Sequence, residues 1–164
     1  MKFCLKDKKG FTLIELLVVI GILAILLSIV LIAINPARQF AQANDTKRRS
    51  DVTAILNAIS QYGADHHGSL PTGLTLGMPT TPIASDDGTD PVEADICTDV
   101  MPTYISALPV DPQVNDGEAV TACTDLTAVP PVTYTTGYSV AVDAQGRVTV
   151  SATGEITPNI TITR

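Results

Sequence analysis

Glu15 stands inside a run of 24 residues, Phe11 to Ile34, that is interrupted only by Thr12, Glu15 and Ser28. A carboxylate in a membrane-crossing helix costs about 2.5–3.5 kcal/mol, so it needs a partner or a purpose. Four residues earlier lies Phe11, preceded by Gly10. On a helix, positions 11 and 15 share one face a turn apart. Cutting the peptide bond before Phe11 would release a cationic amine able to neutralise Glu15 within one chain or between two. Gly10 offers no side chain to obstruct a protease approaching the backbone. If that bond were cut, these residue types at this spacing would allow charge pairing between Glu15 and the new amine at Phe11.

The element that positions them is a helix. At a rise of 1.5 Å per residue the apolar run is about 36 Å long, enough for a bilayer core of roughly 30 Å. Ahead of it lie Lys2, Lys6, Lys8 and Lys9 against Asp7. The positive-inside tendency leaves such a leader in the cytoplasm and sends the remainder outward.

The stretch Lys8-Lys9-Gly10-Phe11-Thr12-Leu13-Ile14-Glu15 resembles the processing site of type IV pilins and type II secretion pseudopilins. The resemblance covers roughly the first fifth of the chain, with looser similarity to about residue 71. It implies that a prepilin peptidase removes a leader, residues 1–10, by cutting after Gly10, and then methylates the new terminal amine of Phe11. Residues 11–34 would anchor a single-pass precursor in the cytoplasmic membrane and later pack in the core of a helical homo-oligomer, an extracellular filament. Glu15 would meet the terminal amine of a neighbouring subunit during assembly. The implied partners are the peptidase, the pilus assembly platform with its ATPase, and the membrane. The implied role is structural, in surface adhesion, motility or DNA uptake, with no cofactor. A proline that many pilins place deeper in the apolar run has no counterpart here, where that region has only Gly21.

Other readings of the run compete. A secretory signal could end at Ala41-Gln42-Ala43, but the run exceeds the 7–15 residues of a signal core, and Pro36 and Arg38 intervene. A plain membrane anchor would leave Glu15 accidental, and the length of the run and its basic flank argue against a buried soluble helix.

Residues 51–164 hold 14 acidic side chains against Arg147 and Arg164 as bases, which argues against nucleic-acid binding through the bulk field. Arg38, Lys47, Arg48 and Arg49 follow the apolar run. They are read as meeting lipid headgroups before assembly and acidic flanks of neighbouring subunits after it; a DNA-binding patch is the alternative.

The fold expected is α+β, a long N-terminal helix packed on a small antiparallel sheet. Val52, Ile55, Leu56, Ile59 and Tyr62 form an amphipathic stripe, so the helix should continue over 35–67, loosened at Asn35-Pro36 and stopped near His66 or His67 by Gly68 and Pro71. A head of residues 68–164 follows. From Leu70 to Pro131 the Pro, Gly, Thr and Asp content reads as a long irregular region. Within it, Leu108-Pro109-Val110-Asp111-Pro112 resembles an LP-x-DP segment of pseudopilin-like chains and reads as a rigid turn. Tyr138 to Val142 and Val148 to Val150 alternate as a hairpin across Asp143-Ala144-Gln145-Gly146. Glu155 to Thr163 supplies a third strand, with Ile156, Ile160 and Ile162 in phase and Pro158 confining it to an edge.

Cys4 would leave with the leader, so Cys97 and Cys123 are the two thiols exported to an oxidising space and are expected to pair. The acidic stretch Asp86-Asp87-Gly88-Thr89-Asp90 with Glu93, Asp95 and Asp99 could hold Ca²⁺ but lacks the twelve-residue EF-hand pattern, and reads as a solvated loop. The calcium-binding C-terminal loop of major pseudopilins has no counterpart after Gly146, which favours a pilus subunit over a pseudopilin. His66-His67 reads as a helix-end feature rather than a metal site, and Asn159-Ile160-Thr161 as a chance sequon. No catalytic constellation is apparent. A monomeric membrane-anchored module capturing a cation or surface ligand remains the contrasting hypothesis.

Overall fold

The computed structural model describes residues 10–85, 93–123 and 133–164. The chain divides into two compact units, Met1–Phe40 and Ala41–Arg164.

The first unit is dominated by α1 (Leu13–Ala33), capped by Thr12 and ended by Ile34 in an extended conformation. None of its residues is buried. A helix that is apolar on every side has no single face to bury, so its surroundings must be apolar too. The second helix, α2 (Pro36–Asp65), restarts with proline at its first position, where the missing N–H costs nothing. The Asn35 side chain accepts the Arg38 N–H at 3.3 Å. The loosening expected at Asn35-Pro36 is thus a full interruption of the α-helix between Ala33 and Pro36.

Within the second unit the expected stripe packs inward: Val52, Ile55, Leu56 and Ile59 are all buried. The helix stops at Asp65, slightly before the expected histidines. His67 and Gly68 both take left-handed angles, φ 55° and 87°, and the Gly68 N–H reaches back to the Gly63 carbonyl at 2.7 Å. That closes the last turn as a C-terminal cap.

Four strands form one antiparallel sheet in sequence order: β1 (Thr81–Ala84), β2 (Thr135–Val142), β3 (Val148–Ala152) and β4 (Ile160–Thr163). The β2–β3 hairpin pairs Val140 with Val150 and Val142 with Val148, and its buried alternation is the one expected. These valines meet the α2 stripe and Ile160 in one apolar core. The third expected strand is shorter than read: β4 begins at Ile160, and Ile156 lies outside it, 44% exposed. The reason is Pro158, together with a turn anchored to α2, described below.

The region read as irregular is more ordered than expected. It contains β1, a one-turn helix α3 (Cys97–Val100) and buried Leu74, Ile83, Ala94, Ile96, Leu108 and Val110. β1 holds Pro82, which its edge position tolerates. Leu108 exchanges backbone hydrogen bonds with Val120. Cys97 and Cys123 are joined by a disulfide with their Cα atoms 5.5 Å apart.

Candidate functional site

At the N-terminal end, Thr12 and Glu15 form a reciprocal cap. The Thr12 N–H and hydroxyl donate to Glu15 Oε2 at 2.9 and 2.6 Å, and the Glu15 N–H donates to Thr12 Oγ1 at 3.3 Å. This arrangement satisfies two helix-end donors at once and places a carboxylate at the positive end of the helix dipole. It also corrects the simple helical picture. The helix begins at Leu13, so Phe11 precedes the cap and does not share a helical face with Glu15 in the uncut chain. The carboxylate turns back to Thr12 instead. Thr12 was not foreseen as a partner, although Thr-x-x-Glu ahead of an apolar run is the sequence signature of such a box.

Gly10 and Phe11 are exposed, Phe11 at 87%. A Cβ added at Gly10 would meet no heavy atom within 4 Å. Among the described residues, packing therefore gives no reason for glycine there.

A second polar assembly lies where α2 enters the head. Arg48, 1% exposed, places Nε 2.6 Å from Asp111 Oδ2, Nη2 2.9 Å from Asp111 Oδ1, and Nη1 3.0 Å from Asp45 and 3.2 Å from Glu155. Asp45 in turn accepts the backbone N–H groups of Glu155, Ile156 and Thr157 at 2.8, 2.9 and 2.9 Å. These three donors, that of Thr157 foremost, together with Arg48, hold the Asp45 carboxyl well below the usual carboxylate range against the opposing effect of burial. At Asp111 burial works upward, but Arg48 and the Gln113 N–H outweigh it and the carboxyl is lowered. The Arg48 guanidinium is raised by its bonds to Asp111 and Asp45, so it stays charged.

Neighbouring residues extend the clamp. Lys47 donates to the Val110 carbonyl at 2.7 Å and pairs with Asp51 at 3.2 Å, while Asn44 donates to Glu155 at 2.8 Å. The Tyr138 hydroxyl donates to Asp51 at 2.7 Å. Gly154 has to be glycine, because a Cβ there would collide with the Thr157 carbonyl and lie 2.9 Å from Asp45 Oδ1.

The basic group read as facing lipid is corrected by this geometry. Arg48 is buried among three carboxylates and Lys47 is committed to Val110 and Asp51; only Arg38 and Arg49 of the four make no ion pair among the described residues. The LP-x-DP segment does more than turn, since Asp111 is the main anchor of Arg48. Nothing in the local pattern marked Asp45, Asp111 and Glu155 as one set, because they are 66 and 44 residues apart along the chain.

The acidic stretch Asp86 to Asp90 lies outside the described residues. Of its companions, Asp95 accepts from the Tyr134 hydroxyl at 2.8 Å and the Cys97 N–H at 3.1 Å, and Asp99 accepts from the Thr72 N–H and hydroxyl at 2.6 and 2.8 Å. Among the described residues, no group of three His, Cys, Asp or Glu is arranged to hold a metal. His66 stacks on Tyr62 with ring centroids 4.0 Å apart.

Comparison with known proteins bears on the first of these assemblies. Residues 5–31 match the family described as the prokaryotic N-terminal methylation motif. The chain is 33% identical over 113 residues to type II secretion system core protein G of Escherichia coli, an alignment spanning 66% of this chain and 69% of that protein. No solved structure matches.

Proposed function

The chain belongs to the type IV pilin and type II secretion pseudopilin family, and on that premise we propose that it is the structural subunit of a type IV pilus-like filament. It is cut after Gly10, N-methylated on Phe11 and polymerised through α1, with no catalytic role of its own. The observation that carries the reading is α1 itself, 21 residues with none buried and one carboxylate at the first turn. Such a surface is satisfied by lipid in a precursor and by other copies of the same helix in an assembly. In that assembly the amine of a cut Phe11 displaces or joins Thr12 at Glu15 of a neighbour, and the charge pair favours one axial register.

A secretion pseudopilus is the second reading, and the likeness to core protein G favours it. The pilus is preferred because the only acidic residue after Gly146 is Glu155, which is committed to Arg48 and Asn44. That leaves little material for a C-terminal calcium loop.

The test is the mass of the N-terminal peptide from sheared extracellular material, which should begin at methylated Phe11. An N-terminus at Asn44 would make the segment a secretory signal and end the proposal. Glu15→Ala should then give a processed, membrane-inserted and folded subunit that makes few filaments, whereas abundant filaments of normal length would remove Glu15 from assembly. Loss of surface filaments with unimpaired secretion on deletion separates pilus from pseudopilus.

A further inference from the structure

The two edges of the sheet differ. On the outer side of β1 the Ala94 N–H donates to the Pro82 carbonyl at 2.9 Å. At the opposite edge, Val148 and Arg164 exchange both backbone hydrogen bonds, at 2.9 and 3.0 Å, which turns the N–H and C=O groups of Ile160 and Ile162 toward β3. By the alternation of an antiparallel ladder, those of Thr161 and Thr163 point away from the sheet. Both threonines are exposed. Beside them runs a groove of about 290 Å³ lined by Arg49, Thr157, Asn159, Ile160, Thr161 and Ile162.

Charge marks the same edge. In the unit Ala41–Arg164, Arg48 is buried, Lys47 pairs with Asp51 and Arg147 pairs with Asp143. The two remaining bases, Arg49 and Arg164, form no ion pair among the described residues. Arg49 donates to Thr157 Oγ1 at 3.2 Å just ahead of β4, and Arg164, which follows the strand directly, donates to Asn57 at 2.9 Å. Among the described residues, the side-chain cations of this acidic unit that form no ion pair thus lie at the two ends of β4, whose outer edge pairs with no described strand.

We propose that the open edge of β4 docks an extended acidic segment of a second copy of this chain, an inference that rests on the filament reading. Strand addition to an exposed edge draws its affinity from main-chain hydrogen bonds and its selectivity from flanking side chains. Charges at an edge also keep strands from pairing indiscriminately. With both flanking charges positive, a basic or neutral strand gains nothing or is repelled, and an acidic one is attracted. A second copy is the natural occupant, because residues 51–164 of each copy carry 14 acidic side chains and a filament brings many copies together.

The experiment places a photoreactive amino acid at Thr161 of the full chain and irradiates assembled filaments and, separately, the concentrated chain in detergent. The expected product joins position 161 of one copy to an acidic stretch of another, with a yield several-fold lower at high salt and in the Arg49→Glu/Arg164→Glu variant, whose circular dichroism spectrum stays unchanged. Absence of any cross-link between copies in both samples overturns the proposal, and so does a cross-link that ignores charge reversal. Filaments that form without the cross-link sink this inference alone. A chain that is neither cut nor polymerised sinks the filament reading, and the detergent sample still decides the edge.

Discussion

Arg48 on α2 and Asp111 in the loop before β2 are 63 residues apart in sequence, yet meet through two hydrogen bonds, Nε to Oδ2 at 2.6 Å and Nη2 to Oδ1 at 2.9 Å. This fork-to-fork pairing fixes orientation as well as distance. Through Asp45 and Glu155 the same guanidinium reaches the turn between β3 and β4, so one side chain joins three separate parts of the head.

Replacing Arg48 with leucine should leave Asp45 and Asp111 facing each other without their cation. Removal of one partner from a buried ion network costs about 3–5 kcal/mol. The melting temperature of the full chain in detergent, followed by circular dichroism, should drop by well over ten degrees. A drop of a degree or two would show that the network contributes orientation without stability.

Acid should weaken the same network. Asp45 and Asp111 both have folded-state values below the ordinary 3.8 of an aspartate. As pH falls, the unfolded chain takes up protons before the folded one does, so the stability these groups contribute is full above that ordinary value and declines below it. A melting temperature level from pH 7 to about 5 and falling below about 4 is expected. Asp45→Asn should lower the curve at pH 7 and flatten its acid limb; an unchanged limb would assign the acid sensitivity elsewhere.

Thr12→Val removes the hydroxyl from the capping box, and loss of an N-cap side chain costs about 0.5–2 kcal/mol of helix stability. In micelles, amide exchange over Leu13 to Leu16 should accelerate while cleavage after Gly10 continues. Unchanged exchange would mean that the Glu15 carboxylate has other support at the helix start.

The disulfide closes a loop with a sequence separation of 26. On the chain-entropy argument this stabilises the head by about 3–4 kcal/mol. Cys97→Ser and Cys123→Ser should each lower the melting temperature by a similar amount, because either one abolishes the bond. Equal stability with and without reductant would contradict this.

Much of this fold is readable from short-range pattern. The apolar run, the α2 stripe at 52, 55, 56 and 59, the alternation of Tyr138, Val140 and Val142, and the glycine after the histidines each act through neighbours within a few residues. Periodicity and backbone freedom are therefore enough to place α1, α2, β2 and β3. β1 escaped because four residues with a proline carry no period long enough to notice. It exists only because β2 offers a partner along its edge.

The candidate site divides in the same way. Gly10, Phe11 and Glu15 are legible because they lie within six residues of one another at the head of the apolar run, and the Thr12 bond was available in the Thr-x-x-Glu spacing. The pairing of Cys97 with Cys123 follows from compartment and number alone. The roles of Asp45, Arg48, Asp111 and Glu155 were decided by the tertiary structure. In sequence each is an ordinary charge that water would solvate. Only when the chain brings α2, the loop before β2 and the β3–β4 turn together is that water removed, and a buried charge then requires a partner that local pattern cannot name.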